Sequence, residues 1–292
     1  MVFESIEQAF KYIVECFRMV TEEPGLLLPS FCSVVLGAFI GIAVFIAAVL
    51  SNVFTNSGLG PLFIVVLFGA LLLSFMVNYL FMAVSSFAIY EHVKFGRSSL
   101  RKAFGRALSR WHVILGLAVV AVVVSMLVGS MKNSRRQRRG AIYGLLAPIL
   151  TVALEEGWKI ASALLIPVAV IGSLGFVDTF KKAFDIARNN LVLIGAGEAG
   201  IRILTGLFGF FGVVFSILIA IGLYALLGGL SWMLGVAVAV VFAFMAISFV
   251  NTLNMFVRTS FYTLAYAWAE ERLEHGSATI AAPTPLKNAF GV

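Results

Sequence analysis

Five ionisable residues fall in segments that otherwise suit a hydrocarbon environment. Glu155, Glu156 and Lys159 occupy one apolar run, and Glu198 and Arg202 the next. A charge at the centre of a bilayer costs roughly 3 kcal/mol on insertion scales, so such residues face a partner, a proton or a water-filled cavity. The chemistry open to this set is ion pairing, solute binding and proton exchange. Glu155 and Lys159 stand four apart with the acid first, and Glu198 and Arg202 repeat that order, which favours an intrahelical pair. Glu156 is left over, about 100° round the helix from Glu155, and needs a cation, a proton or Arg202 from the neighbouring run. Gly157 adjoins the acids, between Pro148 and Pro167. A helix broken there would present free backbone groups beside carboxylates, as in many secondary transporters. These five residues are read as an intramembrane polar site. The plainer alternative is two self-neutralised pairs that let polar helices pack.

Other polar positions carry less. Asn78, Asn251 and Asn254 suit interhelical hydrogen bonding or a polar lining, and Arg258 an interfacial anchor whose charge reaches toward water. The run Gly195-Ala-Gly197-Glu-Ala-Gly200 fits a dinucleotide-binding pattern by accident, since no strand precedes it. Close helix packing explains it better, together with Gly37-x-x-x-Gly41 and Gly140-x-x-x-Gly144. The three histidines (His92, His112 and His275) form no catalytic or metal-binding spacing, and Cys16 and Cys32 suit neither a disulfide nor zinc. No enzyme, cofactor or metal is expected.

The elements that must hold these residues are membrane helices. The chain is 61% hydrophobic and 12% charged, against about 45–50% and about 25% for a soluble domain, so lipid must cover part of its surface. Apolar runs mark six spans, near 26–50, 61–90, 111–130, 141–172, 191–228 and 232–268. The acidic opening, five Glu in 25 residues, does not read as a cleavable signal peptide. With the N-terminus inside, 14 Lys and Arg fall on inner segments and five on outer loops, which places both termini in the cytoplasm and the protein in the cell membrane. The outer five are Lys132, Arg135, Arg136, Arg138 and Arg139, read as a basic outer loop. The net charge of +7 points to anionic lipid headgroups rather than nucleic acid.

A repeat is also legible. Shifting the chain by 80 residues sets Ser99-Leu-Arg-Lys-Ala-Phe104 on Thr179-Phe-Lys-Lys-Ala-Phe184, with Ser5-Ile-Glu-Gln-Ala-Phe10 a looser third copy. Each segment is a helical amphipath followed by two spans. The fold class expected is all-α: a polytopic helical bundle of about six spans with interfacial amphipathic helices. It forms one membrane domain over 1–276, with units near 1–90, 98–172 and 176–270, and a flexible tail over 277–292.

The amphipath leading into Glu23-Pro24-Gly25, the segment from Ser98 to His112, Trp158 with Leu165-Ile166-Pro167-Val168, the Lys181 to Asn190 helix, and Arg258-Thr-Ser-Phe-Tyr262 with Tyr266-Ala-Trp268 together carry a resemblance. The chain resembles an uncharacterised prokaryotic family of six-span membrane proteins. It is more distantly similar to the membrane domain attached to some glycerophosphodiester phosphodiesterases. The resemblance implies the fold and no activity; the phosphodiesterase domain is missing, and the Glu155-Glu156 pair departs from the family pattern. The functional expectation is a polar path or cavity for a small solute, ion or lipid. The alternative is a non-catalytic scaffold in a larger membrane complex; an unrelated stoichiometric partner favours the scaffold, and a homo-oligomer favours transport.

Overall fold

A computed structural model of the chain describes residues 2–50, 61–137, 155, 158, 160–189, 191–227, 229 and 231–275. Every described element is helical. The order is α1 (Val2–Glu22), a 3-10 turn (Pro24–Leu27), α2 (Leu28–Leu50), α3 (Pro61–Phe95), α4 (Leu100–Ser109), α5 (Trp111–Gln137), α6 (Ile160–Ile171), α7 (Phe176–Asn189), α8 (Leu191–Leu227) and α9 (Trp232–His275). The all-α polytopic class holds. Five helices are long and apolar enough to cross a bilayer: within α2, α3, α5, α8 and α9. Much of the expected fourth span, with Pro148, lies outside the described residues. Pro167 sits inside the continuous helix α6, where it removes one backbone donor without breaking the element. After Ile171 the chain bends by 119° into α7. Ser173 takes a left-handed backbone (φ 57°) in that corner, and the Thr179 amide and hydroxyl both donate to the Gly175 carbonyl to start the next helix.

The expected basic outer loop differs in kind. Helix α5 continues through Gln137, so Lys132, Arg135 and Arg136 lie on its last turns; Arg138 and Arg139 are outside the described residues. Lys, Arg and Gln are good helix formers, and cations suit the negative end of the helix dipole. A polar segment after a span therefore extended the helix instead of ending it.

Packing divides the chain into two compact units. The first draws on the described residues of Met1–Val35, Ile89–Ser98 and Ile186–Val292, the second on those of Leu36–Ala88 and Ser99–Asp185. In the first, α8 and α9 form an antiparallel hairpin closed by a short turn, where the Ser231 amide donates to the Leu227 carbonyl (3.2 Å). Glycine sets their separation. A Cβ on Gly212 would fall 2.6 Å from Val250 Cγ2, and one on Gly209 would fall 3.2 Å from Asn254 Nδ2. Among the described residues Gly37 and Gly41 meet no neighbour within 4 Å, and Gly140-x-x-x-Gly144 lies outside them. Helix α1 lies against this hairpin. It buries Ala9, Tyr12, Ile13, Cys16 and Met19, with the Tyr12 ring edge-on to Phe261 at 5.9 Å, while Phe10, Val14 and Phe17 stay exposed.

In the second unit α4 buries Ala103 and Ala107, and Phe104 meets Phe81 of α3 edge-on at 5.8 Å. Arg106 passes over the Phe87 ring and donates through Nε to the Val170 carbonyl (3.1 Å) and through Nη2 to the Ser173 hydroxyl. It thereby satisfies acceptors at the C-terminal end of α6, where free carbonyls gather and a cation is favoured.

Candidate functional site

Glu198 is the most deeply buried carboxylate among the described residues, at 4% exposure. It sits two positions into the apolar stretch Gly197–Leu227 of α8, toward the end of the bundle on which α1 lies. Arg258 of α9 reaches it: Nη2 donates to Glu198 Oε1 at 2.7 Å, with a third of the arginine side chain still exposed. The antiparallel register brings them together, since both lie away from the Leu227–Ser231 turn. Tyr262, one turn beyond Arg258, is fully buried and interacts electrostatically with both partners. Glu198 Oε2, Arg258 Nε and the Tyr262 hydroxyl are all buried, and the hydroxyl faces both members of the ion pair.

The other expected site residues are spread more widely. Arg202 is exposed on α8 and engaged in interactions of its own, and the acid at 198 finds Arg258 across the hairpin. Glu155 is helical, half-buried and engaged, and belongs to the second unit, whereas Glu198 and Arg202 belong to the first. Glu156 and Lys159 lie outside the described residues. Asn78 is exposed; its neighbour Tyr79 is buried instead and faces Trp158 and Ser162 in the second unit. Glu155, Trp158 and Ser162 share one helical stripe, at spacings of three and four. Asn254 packs over Gly209, and Asn251 is exposed.

Sequence reasoning missed Tyr262, read Arg258 as an interfacial anchor, and did not foresee a second polar cluster. Arg258, Tyr262 and Tyr266 recur every four residues on α9, a stripe visible in the sequence. Its acidic partner, 60 positions earlier, is not. The second cluster joins the turn after α1 to the end of α3. Glu23 accepts hydrogen bonds from His92 Nδ1 (2.8 Å), the Ser98 hydroxyl (2.7 Å) and the Ser98 amide (3.0 Å), while Glu22 lies 3.6 Å from His92 Nε2. Burial pushes the Glu23 carboxyl up, but the donors of Ser98 and His92 outweigh it and hold the group below its ordinary value. Gly96, with φ +74°, lets the chain turn back after α3 so that Ser98 can reach it. On the buried face of α1, burial pushes the Cys16 thiol up to about 12, beside Tyr12 and Ser260, as suits a core thiol.

Among the described residues no group of His, Cys, Asp and Glu is arranged to hold a metal ion. What the Glu198 cluster offers is a carboxylate, a guanidinium and a phenol around a neutralised ion pair. That chemistry suits binding or release of a small polar group.

The apolar helices, with broad faces of Phe, Val and Leu exposed on α2, α8 and α9, define a polytopic integral membrane protein. It belongs to a family of unknown function, DUF6159, whose model matches residues 62–272. No curated protein matches the chain.

Proposed function

We propose that the protein carries a small polar solute across the membrane, with Glu198, Arg258 and Tyr262 as the inner binding station of the path. The observation that supports this is a carboxylate, a guanidinium and a phenol gathered in the apolar α8–α9 hairpin, with the acid almost fully buried. Opening α8 from α9, or lifting α1, would expose these groups to a polar solute. The ion pair is already neutral, so an uncharged or zwitterionic solute fits without leaving a buried net charge. The paired acids of the fourth run, Glu155 with Glu156, and Lys159 would form a separate station. The three amphipath-plus-hairpin units, both termini in the cytoplasm and residence in the cell membrane complete the reading.

Purified protein in liposomes tests it. Uptake of a panel of neutral, zwitterionic and anionic small solutes is measured for wild type, Glu198→Gln and the exchanged pair Glu198→Arg/Arg258→Glu. Transport of a neutral or zwitterionic solute that falls at least tenfold in both variants, with unfolding temperature kept in the exchange, fits a binding role. Wild-type rates in Glu198→Gln would remove the station. No flux of any solute through folded wild type, together with an unrelated stoichiometric partner in gentle purification, would favour a scaffold.

A further inference from the structure

We infer that α4 and the first residue of α5 form a binding edge for an anionic phospholipid headgroup, with Arg101 and Lys102 as the cations and Trp111 as the depth marker. The ten residues of α4 carry three basic side chains and no acid. Arg106 is spent inside the protein, on the Val170 carbonyl and the Ser173 hydroxyl. Arg101 and Lys102 remain exposed, and among the described residues no acid pairs with either.

The other two amphipathic helices carry less of a surplus. On α1, Lys11 lies 2.7 Å from Glu7 and Arg18 lies 3.6 Å from Glu22, so those cations are already balanced. On α7, Lys181 lies 4.0 Å from Asp178 and Lys182 is also engaged, which leaves Arg188 in the last turn. The surplus of cations is therefore greatest on α4.

Position gives the second argument. Trp111 is the first residue of the apolar span Trp111–Met131 and is 53% exposed. Tryptophan at the end of a span sits at headgroup level, so the helix just before it lies at the same depth. A ten-residue helix is about 15 Å long and cannot cross a bilayer of about 30 Å. Ala103 and Ala107 anchor one side of α4 to protein, leaving its flank to the leaflet. On that flank Arg101 and Leu108, seven positions apart, share one stripe, and Leu108 is also 53% exposed. An apolar side chain can enter the acyl layer there while the guanidinium beside it meets phosphate.

Full-length protein in phosphatidylcholine nanodiscs doped with phosphatidylglycerol provides the test. Native mass spectrometry counts the phosphatidylglycerol retained by wild type, Arg101→Gln/Lys102→Gln and a Lys11→Gln control. Two cations lost from the surface should lower retention on the order of tenfold at low salt, with the control unchanged. Raising the salt on wild type should remove the excess in the same way and needs no variant. Equal retention in the folded double variant, or wild-type retention unaffected by salt, would overturn the assignment.

Discussion

Glu198 and Arg258 show what one buried pair does in an apolar hairpin. Removing the arginine's partner leaves a partly buried guanidinium without a counter-charge, which costs more than the pair contributes to stability. Glu198→Ala should destabilise the protein by about 3 kcal/mol, at the lower end for a buried pair because a third of Arg258 remains exposed. Replacing both residues, Glu198→Leu with Arg258→Met, should recover most of that loss. Thermal unfolding in detergent reads both effects, and a double variant as unstable as the single would mean the pair is not the cause. Glu23 makes a pH-dependent counterpart. Its carboxyl is held low in the folded protein, so its contribution is complete above the ordinary carboxylate pKa and is lost as pH falls through the lowered folded value. Glu23→Gln should therefore lower the unfolding temperature at pH 7. The gap from wild type should begin to narrow near the carboxylate reference value, about pH 4, and close as pH falls through the lowered folded value; a gap independent of pH would remove the carboxylate from the account.

Single helices are governed by shape more than by charge. Gly212 lets α8 approach Val250 of α9 more closely than any Cβ allows. Gly212→Ala should cost about 1–3 kcal/mol through overpacking, and Val250→Ala in the same chain should return part of it. Gly222, with open space around it, supplies the control: Gly222→Ala should be neutral or slightly stabilising. An equal effect at both positions, measured by thermal unfolding, would place the cost in helix propensity instead of packing. The α1, α4 and α7 amphipaths were legible because their apolar spacing is a property of short segments. The end of α5 was not: charge marks where a segment leaves hydrocarbon, and a helix can continue into water beyond that point.

Across the whole molecule, the two packing units cut across the order of the chain. Helix α1 groups with α8 and α9, at the far end of the sequence. Six crossings require both termini on one side of the membrane, five on opposite sides. Tags at the two ends of the chain should be equally protected from protease in sealed right-side-out vesicles and equally cleaved after permeabilisation. Protection of one tag alone would establish an odd number of crossings. In either case the wide lipid-facing surfaces of α8 and α9 stay as they are, since their exposed Phe, Val and Leu side chains have no role in water.

Hydropathy and helical spacing are local quantities, so residues alone determined that this is an all-helical membrane protein, where its five described apolar spans run, and which charges stand out of place. The partners of those charges are a different matter. Whether Glu198 turns to Arg202, four residues along its own helix, or to Arg258 on the next depends on the rotation and register of α8 against α9. Both are set by close contacts such as Gly212 on Val250, between residues far apart in the chain. The same holds for Glu23, which meets His92 and Ser98 only because two turns are brought to one place. Side-chain partners across helices arise from packing, and packing is decided only when the helices assemble.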